Sequence, residues 1–367
     1  MKLSLFAVLA ACLAAACTNS QVVDDQPPDG DATIFAVSTD YVSTGLASTI
    51  TVPDLAVTQN AVDGVASTDP VVRRLGDRLF VVNRLGADNV TVLDPATLQL
   101  VAQISTGAGS NPQDVAMVGD SLFVPTFAGT GLVVLDLAHP DDGVVDTIDL
   151  SALDSDGQPN CGAAAAAGGK VFVACGLLDD NGDLSPQGPG RIAVIDASSH
   201  AVITDFALTN ANPIGPFVAV PDLGGDLIID TVPDYADVSQ GCIERITTGT
   251  PAASGCLVDH SDLGGIATGL APGAGSLWIA VTEGWDDQDY QPLGKVQSFD
   301  LGSMTLAGAP MTSAGERAFD VARCPTGHLA VADAAGGIRV YDPQGVELTT
   351  EPLDIGLPPI GGGLTCY

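Results

Sequence analysis

A six-residue phrase returns along this chain, and its spacing restricts the folds open to it. It reads GDRLFV (76–81), GDSLFV (119–124), GGKVFV (168–173) and GGDLII (224–229), with looser copies AGSLWI (274–279) and TGHLAV (326–331). A second, alternating phrase follows most copies and ends in aspartate: NVTVLD at Asp94, GLVVLD at Asp136, RIAVID at Asp196, KVQSFD at Asp300 and GIRVYD at Asp342. CIERIT (242–247) takes the same place without the acid. A glycine turn, a short apolar strand, a loop and an alternating strand make half of a four-stranded sheet. Sheets repeated every 40 to 60 residues or so predict an all-β propeller.

Taking the two phrases as second and third strands gives six blades, with first strands near Val71, Val115, Ala164, Val218, Ala267 and Val321. The ends supply a seventh. Residues 34–37 and 49–54 look like second and third strands with no first, and 360–367 look like a first strand with nothing after it. Pairing the N- and C-terminal strands in one blade closes a seven-bladed ring over residues 32–367 and leaves no open sheet edge. The run from Asn111-Pro112 through GDSLFV to Asp136, and that from Arg78 through NVTVLD to VAQISTG, resemble the YVTN-type seven-bladed propeller family. That resemblance covers most of 32–367. It implies no single activity, because the family holds lactonase-like, cofactor-bearing and purely binding members. The recurring acids at Asp54, Asp94, Asp136, Asp196, Asp300 and Asp342 are expected to cap the turns that follow them.

Residues 1–16 read as an export signal. Lys2 supplies the positive start, the apolar stretch is too short to span a bilayer, and small residues lead into Cys17. The stretch resembles a bacterial lipoprotein signal, which implies lipid modification of Cys17 and a membrane anchor; the alternative is an ordinary signal peptide cut nearby. Either places the protein outside the cytoplasm, in the periplasm or held at an outer membrane. Residues 17–31, rich in Asp and Pro, form an acidic tether. A net charge of −33 disfavours nucleic acid as a partner and favours cations or a basic protein or small molecule.

Of eight cysteines, six follow the tether. On the strand map Cys161 and Cys175 flank one hairpin, Cys242 and Cys256 another. Cys324 and Cys366 take equivalent points on the first strands of neighbouring blades. Three disulfides are expected in an exported chain; the rival, a metal or redox site, finds no CxxC spacing.

Enzyme motifs are absent: no GxSxG, no HExxH and no phosphate-cradling glycine loop. Of the four histidines, only His260 falls on the face bearing second-to-third strand loops, where propellers favour ligands; His139, His200 and His328 fall in hairpins opposite. That face carries three long loops, 176–190, 230–241 and 282–294, which contain acids and no Lys or Arg. Asp179, Asn181 and Asp183 offer oxygen ligands for Ca²⁺, although DDNGDL lacks the full EF-hand pattern. Asp234, Tyr235, Asp237, Glu283, Trp285, Asp286, Asp287, Asp289 and Tyr290 combine carboxylates with rings, a pairing suited to an organic ammonium. The plainer role for these acids is to solvate a crowded rim. Asp114, Arg317 and Asp320 fall near the channel, where paired charges would steady blade contacts. The leading expectation is a binding propeller without catalysis. The alternatives are a lactonase-like hydrolase working with carboxylates and Arg at the channel mouth, or a structural member of an envelope complex.

Overall fold

A computed structural model describes residues 30–288, 290–312 and 317–367. The expected export signal, Cys17, most of the expected tether and Asp289 lie outside the described residues. Seven small antiparallel sheets form a ring. The closing blade runs Pro359–Cys366, Ala32–Thr39, Gly45–Val52, Val57–Thr58 from axis to rim. Its register sets Ile34 opposite Cys366 and Ala36 opposite Leu364, so the C-terminal strand fills the innermost place that the N-terminal segment lacks. The other first strands are Pro70–Leu75, Ala116–Val118, Cys161–Ala167, Pro213–Val220, Ile266–Gly273 and Ala318–Arg323. Blade seven keeps three regular strands. Its fourth place is taken by irregular backbone, with Leu348 and Leu353 donating to Val340 and Ile338.

Alternation along each strand buries both faces of a blade, one against each neighbour. The described core accordingly divides into seven apolar clusters, each shared by two adjacent blades. Phe35, Phe80, Phe123 and Phe172 occupy the same point of successive second strands and are fully buried. Truncating one of them to alanine would cost about 3–5 kcal/mol through lost transfer energy and the cavity left behind.

Five of the repeated aspartates cap their turns. Asp94 accepts from the amides of Ala96 and Thr97, Asp136 from Ala138, Asp196 from Ser198 and Ser199, Asp300 from Ser303, and Asp342 from Gln344 and Val346. Asp54 departs from expectation. It makes no such bond, and its turn closes through backbone pairs between Thr51 and Leu55 and between Thr51 and Ala56. In blade five, where the terminal acid is missing, Asp226 on the neighbouring strand substitutes, taking the Thr248 amide and the Arg245 guanidinium.

All three expected cysteine pairs are disulfide-bonded. Cys161 and Cys175 face each other directly across the first two strands of blade four. Cys242 pairs diagonally instead, because bulges slip the last two strands of blade five and set Cys256 opposite Glu244. Cys324 to Cys366 ties blade seven to the closing strand.

Candidate binding site at the centre of the ring

The three long loops differ from one another in build. Loop 176–190 folds back on itself through a bridge between Leu178 and Pro186, and Asn160 Nδ2 holds it by donating to both carboxylate oxygens of Asp180. Loop 230–241 is fastened at its base by His260, treated below. The third is mostly not a loop. The second and third strands of blade six extend as Ser276–Trp285 and Pro292–Asp300, pairing Trp285 with Pro292, and Asp286 N donates to Gln291 O just beyond them.

Residues from each of these segments reach a common space. Asp183, Leu184, Tyr235 and Trp285 line the loop-face end of a cavity of about 930 Å³ that continues between the first strands. Tyr235 is 52% exposed and Trp285 41%, so their rings border the mouth and remain reachable from solvent. The channel is therefore one space with the loop face. Its walls are chiefly apolar, with Ile214, Phe217, Leu270, Phe319 and Val321 among them.

Midway along the channel a polar belt crosses five blades. Asp320 of blade seven accepts from Gly362 N at 2.9 Å; Gly362 O, in the closing strand, accepts from Arg73 Nη1 at 3.1 Å. Arg73 Nε donates to Asp114 Oδ1 at 2.7 Å, and Asp114 Oδ2 accepts from Ala164 N of blade four at 3.2 Å. Burial pushes the Asp114 carboxyl upward against the pull of Arg73. It pushes Asp320 up to about 7, opposed by the amides of Val321 and Gly362 and by the charge of Arg73. The expected blade-steadying role of Asp114 and Asp320 is thus visible in their contacts. Arg317 sits elsewhere, bridged to Gly294 and 3.5 Å from Asp286.

The remaining candidate residues spread over the rim. Glu283 is paired with Lys295 at 2.8 Å and Asp286 with Arg317, so basic groups from outside the loops neutralise part of the charge that the loop sequences show. Asp234 accepts from Ala236 N, and Asp237 from Ser239 and Gln240. Asp287 and Tyr290 are exposed on the blade-six turn. In the calcium set, Asp179 caps the Asn181 amide and Asp183 the Ser185 amide, and Ser185 holds the Asp183 carboxyl below the usual range. Among the described residues the one group of three acid, histidine or cysteine ligands within a single coordination sphere is Cys242, Cys256 and Asp259, whose sulfurs are spent in a disulfide. Asp179 and Asp183 are not brought together with a third such ligand.

Two features escaped the sequence reading. Arg73 left a trace, since PVVRRL places two arginines in a first strand, where CGAAAAA and IATGLAPG have no charge. The second is a buried pair. His260 Nδ1 lies 2.6 Å from Gln240 O, and its Nε2 lies 2.7 Å from Asp230 Oδ1; the two side chains are 0% and 2% exposed.

No known family profile and no curated protein matches the chain. Solved structures match its fold. AztD of Citrobacter koseri is similar over 92% of this chain and 98% of its own, at 11% identity and TM-score 0.55. The Neurospora crassa Pan2 WD40 domain matches over 75% of each chain, at 11% identity and TM-score 0.53. Kuenenia stuttgartiensis hydrazine synthase matches over 73% of this chain and 74% of its own, at 14% and 0.53. At such identities the likeness concerns the fold. The fold is a seven-bladed propeller.

Proposed function

We propose that this chain is an exported, non-catalytic binding propeller of the YVTN type, tethered to an envelope membrane through Cys17, that takes its ligand through the loop face into the central cavity. One observation carries the reading: three blades send Asp183, Tyr235 and Trp285 to the same cavity mouth. A carboxylate sharing a cavity mouth with two reachable rings suits an organic ammonium by charge and by cation–π attraction. The three disulfides fit an oxidising compartment. The described lining contains no Ser, Cys, His, Lys or Glu, and its Thr268 and Thr282 hydroxyls lie within hydrogen-bond distance of each other.

Calorimetry and tryptophan fluorescence of the purified propeller with spermidine, tetramethylammonium and, separately, CaCl₂ test this reading. An organic cation should bind saturably. Trp285→Ala and Asp183→Asn, both at exposed positions, should weaken it without moving the melting temperature. No heat and no fluorescence change with any organic cation at millimolar concentration would end the idea. A response to CaCl₂ alone would relocate the site to Asp179 and Asp183.

A further inference from the structure

Arg73 has a donor to spare. Its Nε is taken by Asp114, and Nη1 donates to the carbonyls of Val72 and Gly362. Nη2 has no acceptor among the described residues, although the side chain is only 16% exposed and lines the cavity. A guanidinium arm without a protein acceptor at the wall of an open cavity offers an arriving oxygen acceptor a charge-assisted hydrogen bond. Arginine also matches carboxylates with its planar fork.

The electrostatic setting favours such a partner. The whole chain sets 12 basic residues against 45 acidic ones, whereas the charged groups lining the cavity are three arginines and three aspartates. Burial pushes one of those aspartates, Asp320, up to about 7, which weakens its negative charge toward neutral pH. The cavity walls include Phe217, Phe319 and Leu270.

We propose that Arg73 anchors the carboxylate of an apolar, chain-like molecule that enters by the loop face and fills the central cavity. The proposal rests on the reading that this cavity is the ligand site, and adds a second end to it. The mouth takes a cation, the mid-channel takes an oxyanion, and a molecule carrying both at opposite ends engages both.

Two glycines allow a clean test. Gly162 and Gly361 line the cavity, have ordinary backbone angles, and a Cβ added to either meets nothing within 4 Å. Gly162→Leu and Gly361→Leu should therefore fill the channel while leaving the fold intact. Octanoate, octylammonium and 8-aminooctanoate are titrated by calorimetry against the parent, both blocking variants and Arg73→Met. Octanoate should bind the parent saturably, and Arg73→Met should weaken it by about tenfold or more. Octylammonium should not respond to Arg73→Met, and both probes should suffer in the blocking variants. Since Arg73 also holds the belt, Arg73→Met is read only if it melts cooperatively; the blocking variants decide otherwise. No saturable octanoate binding to the parent, or unchanged octanoate affinity in both blocking variants, overturns the proposal. So does unchanged affinity in a folded Arg73→Met. Octanoate binding without octylammonium binding would instead remove the cation at the mouth and leave the Arg73 anchor standing.

Discussion

Replacing His260 by alanine should cost this propeller roughly 3–5 kcal/mol, and it should change how stability depends on pH. The geometry supplies both expectations. Gln240 contributes a carbonyl, which only accepts, so Nδ1 must carry a proton. Nε2 then meets Asp230 either as N–H to carboxylate or as lone pair to a carboxyl O–H. Either arrangement holds one proton that a neutral imidazole beside an ionised carboxylate does not share out to both contacts. Removing the ring takes the His260 hydrogen bond from the buried Asp230 Oδ1, and Oδ2 already lacks a side-chain partner. It also frees the base of the loop that carries Tyr235.

The sign follows from both members. Burial pushes Asp230 up to about 6 from its ordinary 3.8, against the pull of His260. Burial works against the charged His260, yet the hydrogen bond and charge of Asp230 raise it above 6.5. Both groups therefore hold protons more tightly folded than unfolded. The Asp230 contribution weakens as pH rises from about 4 to about 6. The His260 contribution is complete below pH 6.5 and is lost as pH climbs through the raised value. The pair titrates as a unit, and each proton released costs up to about 1.4 kcal/mol per pH unit. Urea denaturation between pH 5 and 9 measures this directly. The parent should lose stability above pH 6.5 more steeply than His260→Gln. Parallel curves for the two, or a loss below about 1 kcal/mol in His260→Ala, would refute the shared-proton account.

Other substitutions probe the ring. Cys324→Ser with Cys366→Ser opens a link spanning 42 residues and should cost about 4 kcal/mol by loop entropy; an equal midpoint in urea for parent and variant under oxidising conditions would discount the rivet. Glu244, fully buried, accepts from the amides of Thr209 and Asn210 at 2.8 and 2.7 Å, so Glu244→Ala orphans two donors and should lower stability by about 3 kcal/mol in the same assay. Asp320 ionises in the fold only near pH 7, so rising pH between about 4 and 7 works against folding; Asp320→Asn should give a shallower stability profile over that window, and an unchanged slope would count against the burial argument.

What the sequence discloses depends on how local the cause is. Glycine turns and alternating strands are short-range, so blade count, strand order and the cysteine pairs were legible from residue order alone. The blade-six arm was not, because EGWDDQDYQPL has no alternation and its strand pairing rests on backbone bonds continued from Thr282 and Gly294. The charge of the loops misled for a related reason. Lys295 and Arg317 approach Glu283 and Asp286 from neighbouring strands, and counting acids within a loop cannot see them. Asp54 stands in the same sequence position as the capping acids, yet a different turn follows it.

The closing strand links stability to the site. Gly362 gives its N–H to Asp320 and its carbonyl to Arg73, so the strand that completes the ring also sets the guanidinium whose free arm faces the cavity. Loosening that strand should therefore do more than lower the melting temperature. In the Cys324→Ser, Cys366→Ser variant, octanoate affinity should fall at temperatures where the ring is still folded, while octylammonium, held by blades four to six, should bind as before. Equal losses for the two probes would mean that the closing strand supports the cavity as a whole and does not act through Arg73.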